Sequence, residues 1–321
     1  MKSQNVSSIG IDVGKASLSF ATMWENQKAT VKSCTNDRQG INALIATLRK
    51  NKTDLLVPCV IEATGDYHLH CALMLKEAGF NVNVINPLIS KYYQRTSVRN
   101  CKDDSVDAVR LARIGVLEPD LRIFTGTKQS FALRKAVTSV GKLERYQQQL
   151  KAHAKQLREA EKMLGAKFDL VALNKTIKSI EKQIKVFENY INEHAPTQAI
   201  EIAKNVRGVS RTGVAKILAL LDGHEFESKD KLVAFTGLDV AARRSGSWRG
   251  KEKLSKRGSP HFRKILFQLA WGLKQHNQEY KEYYNKLRER GLHYFTCLIA
   301  TARKFLRFLY AYLWKKSVSF S

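Results

Sequence analysis

VSSIGIDV (residues 6–13) followed by ASLSFATMW (16–24) is the stretch that decides the fold. Both runs are rich in β-branched and apolar residues, and Gly14-Lys15 separates them, so they predict two strands joined in a hairpin. Downstream, LLVPCVIEA (55–63) is a short apolar run suited to a buried strand, and FNVNVINP (80–87) alternates before it stops at Pro87. Helical patterns lie between and after these runs, at 38–50, 66–78 and 103–115. A hairpin followed by strand–helix units predicts an α/β domain built on a mixed sheet.

Past this domain the pattern changes. The five prolines are Pro58, Pro87, Pro119, Pro196 and Pro260, so nothing interrupts a helix between 120 and 195. Within that gap Leu173, Ile177, Ile180, Ile184, Phe187 and Ile191 recur at steps of four and three, a heptad seam. Gly165 is placed to turn one long helix back on another. The seam suits a helical hairpin packed on its own domain and a dimer-forming coiled coil equally well. From about 200, VRGVSRTGVAKILALL (206–221) carries Gly208 and Gly213 around a short turn before a helix. That arrangement is similar to a helix-hairpin-helix element, whose helix N-terminal N–H groups suit a phosphate. Residues 260–315 read as helical and aromatic.

Composition narrows the partner. Fifty-five Lys and Arg against twenty-nine Asp and Glu leave a formal charge of +26. Such a surplus repels itself unless a polyanion binds, and nucleic acid is the first candidate. An anionic membrane surface is the weaker rival. The most apolar late segment, FTCLIATARKFLRFLYAYLW (295–314), is broken by Arg303, Lys304 and Arg307 and reads as an amphipathic helix. Cys34, Cys59, Cys71, Cys101 and Cys297 form no CxxC pair, so they predict reduced thiols and neither a zinc site nor a disulfide framework. MKSQNVSSIGID has no apolar signal region, which fits a cytoplasmic protein.

Four acids carry the chemistry. Asp12 lies late in the first strand between Ile11 and Val13, where a carboxylate is costly unless paired or bound to metal. Glu62 ends another strand, at the carboxyl edge where ligands collect in α/β sheets. Asp104 and Asp107 in CKDDSVDAVRLARI (101–114) are three apart and share a helix face. Asp103 with Asp107 would share a face as well. Hard carboxylates without a His or Cys cluster favour Mg²⁺ or Mn²⁺, and two such ions can clamp a phosphoryl transfer. Taken singly, the helix acids would more often be a solvated face or first-turn acids complementing the helix dipole. IGIDVG also opens actin-like sugar kinases and chaperone ATPases, but the second phosphate-binding motif those need is missing.

A second chemical segment is AARRSGSWRGKEKLSKRGSPHFRK (241–264). Ser245-Gly246-Ser247 predicts a flexible turn among Arg243, Arg244, Arg249, Lys251, Lys253, Lys256 and Arg257. Clustered cations there would bind a nucleic-acid backbone and stabilise charge developing at a scissile phosphate. A serine in such a loop more often only hydrogen-bonds phosphate; as a nucleophile it needs help in losing its proton.

Taken together these motifs resemble the DEDD insertion-sequence transposases, a family that includes pilin-gene invertases and bridge-RNA-guided recombinases. IGIDVGK (9–15) resembles the family's opening strand with its first acid. IEATGDY (61–67) is similar to its IExTGxY motif, VINP (84–87) follows, and KDDSVDA (102–108) is similar to K-T-D-x-x-D-A. VRGVSRTGVAKIL, FTGLDVAARRSGSWRG (235–250) and LSKRGSPHFRKILF (254–267) resemble the family's C-terminal domain. The likeness spans nearly the whole chain. It assigns Asp12, Glu62, Asp104 and Asp107 to a metal-binding quartet and Ser245 to the nucleophile. Asp103 stands where the family has Thr or Ser, leaving the third acid open between Asp103 and Asp104. The loop lacks a usual adjacent serine, so Ser247 is a second candidate nucleophile.

The resemblance implies an α/β plus α architecture in three parts. These are a ribonuclease-H-like (RuvC-like) N-terminal domain over 1–125, a long helical coiled-coil arm over 126–197, and a mainly helical transposase domain over 198–321. It further implies a DNA transposase or site-specific recombinase that cleaves and rejoins DNA through a covalent phosphoserine, with Mg²⁺ or Mn²⁺. DNA, a structured guide RNA and further copies of the chain in a dimer or tetramer would be the partners, in a bacterial cytoplasm. The competing function is a metal-dependent, structure-specific nuclease, similar to a Holliday-junction resolvase, with no covalent intermediate.

Overall fold

The computed structural model describes residues 5–95, 104–118, 120–241, 244–245, 248–249, 253–256 and 258–315. Two compact units divide the chain, 1–127 and 128–321.

The first unit is a mixed sheet with helices on both faces. Strands β1 (Val6–Val13), β2 (Ser17–Trp24) and β3 (Ala29–Thr35) form an antiparallel meander; β4 (Cys59–Glu62) and β5 (Val82–Ile85) follow in parallel. The order among the described residues is β3-β2-β1-β4-β5, with β1 in the centre. Its helices are α1 (Arg38–Lys50), α2 (His68–Glu77), α3 (Pro87–Arg95) and α4 (Asp104–Leu117). Strand alternation sorts β1 between two cores. Ile9, Ile11 and Val13 turn to the face buried by Ile41, Leu44 and Leu48 of α1 and Cys71 and Leu75 of α2. Ser8, Gly10 and Asp12 therefore take the other face, the one that α4 covers.

Alpha-helix α4 sits on β1 with unusually little between them. The Ser8 hydroxyl donates to the Ala112 carbonyl. A Cβ on Gly10 would lie 2.1 Å from the Ala108 oxygen and 2.1 Å from the Ala112 nitrogen. Only glycine lets the helix rest there. Gly10→Ala should therefore lift α4 and cost roughly 2–3 kcal/mol in urea unfolding, as overpacking does; a loss below about 0.5 kcal/mol would show that α4 seats in some other way.

The hairpin, β4, β5 and helices α1, α2 and α4 lie within a few residues of where the sequence predicts them, whereas β3 and α3 have no counterpart in its pattern. Strand β3 is an edge strand with almost every residue exposed, so its ATVKSCT carries no apolar alternation. Helix α3 is a short helix that leaves Leu88 and Tyr92 outside at 72% and 68% exposure, which hid its period.

The second unit is helical. Helices α5 (Lys128–Leu164) and α6 (Val171–Glu193) pack together as a long hairpin across residues 165–170. The seam predicted on α6 is used within the chain. Ile177 and Ile191 are buried, and Ile184 and Phe187 pack against the cluster that includes Ile191 and α5 residues Leu133, Val137 and Val140. That core also takes in α7 (Thr197–Asn205), α8 (Arg211–Leu221), α9 (Lys229–Thr236), α10 (Pro260–His276), α11 (Gln278–Glu289) and α12 (Tyr294–Tyr310), with a π-helical turn at Ala311–Lys315. The base of the hairpin is thus continuous with the core of the C-terminal helices. Among the described residues no helix is long and apolar enough to cross a membrane.

Candidate active site

The sheet and α4 bring the carboxylates onto one face. Asp12 follows Gly10 by two residues on β1, so it points to the side where α4 lies, just beyond the point of closest approach. Strand β4 runs parallel to β1, with Ile11 level with Ile61. Val60 packs on α4 residues Leu111 and Ile114, which places Glu62, two residues on, toward the same face. Asp104 and Asp107 occupy the first turn of α4.

Electrostatics show how closely these groups bear on one another. The Asp12 carboxyl is pushed up from 3.8 to about 6, first by burial and then by the charges of Asp104, Asp107 and Glu62; the Val13 N–H opposes the shift. One half-buried acid thus feels all three others. Two of the four are held by neighbours. The Ser90 hydroxyl, itself buried, lies 2.5 Å from Glu62 Oε2 and 3.0 Å from the Pro87 carbonyl. Arg110 forms an ion pair with Asp107 one turn away on α4.

Repulsion reaches further than coordination. Among the described residues no three carboxylate, imidazole or thiolate groups already converge closely enough to hold one ion. The shift on Asp12 needs only that the charges lie within several ångströms, whereas Mg²⁺ needs oxygens at about 2.0–2.1 Å. Both observations stand together. A hard divalent cation would relieve the repulsion and fits an all-oxygen donor set; Arg110 engages only Oδ1 of Asp107. Asp104 and Asp107 also sit in the first turn of α4, a place acidic side chains favour in any helix.

Ser90, Arg110 and Gly10 were not singled out from the sequence. A glycine inside an apolar strand is a legible sign of close backbone approach, whereas nothing in PLIS marks Ser90 as the partner of a carboxylate twenty-eight residues earlier. Ser90→Ala should weaken the response to Mg²⁺ about 10–100-fold, the usual effect of losing a group that orients a ligand. Isothermal titration with Mg²⁺ or Mn²⁺ would check it, and Ser90→Thr should restore binding. Unchanged titration would reduce the contact to a structural one.

Ser245 belongs to the second unit, on a small β-element within the helices. Strands β6 (Val240–Ala241) and β9 (Lys253–Leu254) pair, as do β7 (Arg244–Ser245) and β8 (Trp248–Arg249). Ser245 stands opposite Trp248, with residues 246–247 between them. Expected in a flexible turn with Gly246 and Ser247, Ser245 ends a strand; residues 246–247 lie outside the described residues. At the base of the segment, Asp239 bonds the Ser255 hydroxyl, the Lys256 N–H donates to the Gly237 carbonyl at 3.2 Å, and Arg263 donates to the carbonyls of Lys256 and Gly258. Lys256 is exposed. Only the backbone course is described for Arg244, Arg249 and Lys253. Asp103, Arg243, Ser247, Lys251 and Arg257 lie outside the described residues.

Near 206–221 a short turn joins α7 to α8; Gly208 lies in the turn, whereas Gly213, expected at its edge, lies in the first turn of α8. Ser210 caps α8 by accepting from the Gly213 N–H at 3.0 Å. Gly208, at φ +91°, meets Gly272 of α10 so closely that a Cβ would lie 2.5 Å from its oxygen. A cleft of about 520 Å³ opens here, lined by Lys185, Asn189 and Asn192 of α6, Ser210, and Lys216. Lys216 is held by Glu188 at 2.7 Å.

Comparison with known families agrees with these motifs. A family model described as a transposase matches residues 9–164. A second, described as a transposase of the IS116/IS110/IS902 family, matches residues 200–285. No curated protein matches the chain.

Proposed function

Since the chain belongs to the DEDD transposases of the IS110 family and is a DNA transposase, we propose that it cuts and rejoins DNA with Ser245 as nucleophile and Asp12, Glu62, Asp104 and Asp107 as holders of Mg²⁺ or Mn²⁺. The observation that carries the reading is the convergence of three carboxylate charges on Asp12. An acid raised that far beside three others is a liability in a binding protein and an asset where a divalent cation must be held.

The roles follow from the chemistry of each group. Ser245 Oγ gives up its proton and attacks the scissile phosphorus. A phosphoserine diester forms, the deoxyribose oxygen leaves and takes up a proton, and attack by a new strand end reverses the step. The divalent ion, when bound, supplies charge stabilisation at the phosphate. Asp12 and Glu62 hold their oxygens from adjacent strands, Ser90 fixes the rotamer of Glu62, and Arg110 keeps Asp107 compensated until it is needed. Arg243, Arg244, Arg249, Lys251, Lys253, Lys256 and Arg257 bind the DNA backbone around the serine, and the capped turn at Ser210 adds a phosphate contact.

In this reading 1–125 is a ribonuclease-H-like (RuvC-like) domain, supported by its mixed sheet with Asp12 on the central strand. Residues 126–197 form a long helical arm whose α6 seam is buried within the chain, and 198–321 form the transposase domain. The arm's far end supports a dimer or tetramer, since Met163 and Leu164 are 85% and 72% exposed beside Phe168 and Val171. A structured RNA would select the DNA partners, and a charge of +26 suits a protein that carries RNA and two duplexes together. Purified protein should then carry one discrete RNA species, and random or absent RNA on sequencing would remove the guide. The serine role is tested by transfer of label from ³²P-DNA to protein: a covalent adduct supports it, and strand cleavage without any adduct points to a hydrolytic nuclease.

A further inference from the structure

Helix α10 sets Phe267, Trp271 and Lys274 on one face, at spacings of four and three. The start of α12 lays His293, Tyr294 and Phe295 beside them. The Phe267 and Phe295 rings lie 5.7 Å apart at 31°, His293 stacks on Phe295 at 5.6 Å and 26°, and Trp271 meets Tyr294 edge-on at 5.9 Å. Three of these residues are exposed: His293, Trp271 at 43% and Phe295 at 54%. In their midst the Lys274 ammonium stands 5.1 Å from Trp271, 4.7 Å from Tyr284 and 5.6 Å from Tyr294. It makes no ion pair among the described residues; Glu279, on the next helix, is taken by Lys304 at 2.7 Å.

We propose that this cluster binds an unpaired DNA strand, with bases stacked on Trp271 and Phe295 and a phosphate beside Lys274. Partly exposed aromatic rings beside a cation that has no ion pair among the described residues match the two parts of a nucleotide unit, a flat base and an anionic backbone. The strand must be unpaired, because in a duplex the base faces are already covered by their neighbours. It is DNA because a DNA transposase cuts and transfers strands, and bases beside the cut come free of the duplex. A second copy of the chain fits the patch less well: an interface centre would bury Lys274 without a counter-charge, and lysine is depleted there for that reason. The site lies outside the acids and the serine, so it stands or falls separately from their roles.

The test is fluorescence anisotropy with full-length protein at one salt concentration, using fluorescein-labelled oligothymidylate and a duplex of equal length. Trp271→Ala and Phe295→Ala should each weaken the single strand about tenfold and leave the duplex unchanged, while Trp271→Phe retains most of the affinity. Equal weakening of duplex and strand, or no change for the strand, would overturn the proposal. So would ring-dependent binding of oligouridylate tighter than that of oligothymidylate, which would make RNA the occupant. A shift in oligomeric state by light scattering with strand binding intact would assign the patch to a second copy. Should the alanine variants fail to fold, photocrosslinking of 4-thiothymidine strands to the unaltered protein decides: crosslinks on Trp271 or Phe295 support the site, and crosslinks confined to other segments overturn it.

Discussion

Ser245→Ala is expected to abolish the covalent protein–DNA adduct and to lower strand transfer by about a thousandfold or more, as loss of a nucleophile does. Affinity for DNA should stay within a few-fold, because the arginines and lysines of 243–257 supply phosphate contacts that do not pass through the hydroxyl. The β7–β8 hairpin should survive, since its pairing uses backbone groups and Ser245 faces Trp248 whichever side chain it carries. Ser247→Ala provides the comparison. Should Ser247→Ala remove the adduct and Ser245→Ala leave it, the nucleophile lies two residues along. Label transfer followed by gel electrophoresis separates the outcomes, and normal recombination by both variants would end the serine mechanism.

Asp12→Asn should move activity and stability in opposite directions. Strand cleavage should fall by a factor of about a thousand, because a neutral amide on the central strand replaces the carboxylate that feels the other three. In EDTA the same variant should be more stable than the parent. The Asp12 carboxyl holds its proton more tightly in the folded protein than in the unfolded chain, so the penalty for ionising it is absent below pH 3.8. It grows as pH rises from 3.8 to about 6 and is complete above that. At neutral pH Asn removes about 1–2 kcal/mol of penalty, after allowance for the partial solvent screening of a half-buried group. Saturating Mg²⁺ should reverse the ranking by stabilising only the parent, by about 2.7 kcal/mol at a hundred times its dissociation constant. Denaturant melts at pH 4 and pH 7.5, with and without Mg²⁺, would check the whole pattern. A variant no more stable than the parent in EDTA would mean that the charges are already compensated.

Much of the fold was legible because the signals are local. Strands β1, β2, β4 and β5 and helix α4 announce themselves by apolar period and by turn residues. Elements with little buried surface escaped: β3 turns only Ala29 and Cys34 partly inward, and α3 contributes the buried Ser90 and the partly buried Tyr93. Around the serine the composition pointed to a loose basic turn. Antiparallel pairing of Arg244–Ser245 with Trp248–Arg249 makes it two short strands, too brief to show an apolar alternation.

The sequence by itself determined the mixed α/β unit, the helical remainder and the membership in a transposase family, because each rests on residue types at short, fixed spacing. Only the tertiary structure decided that the heptad seam of α6 packs on α5 within one chain, since a seam specifies an apolar stripe and not whose helix covers it. Only the fold, likewise, set Asp12, Glu62, Asp104 and Asp107 on one face. Those residues are separated by as much as ninety-five positions, and what joins them is the bare backbone contact of Gly10 with Ala108, which lets α4 settle against β1.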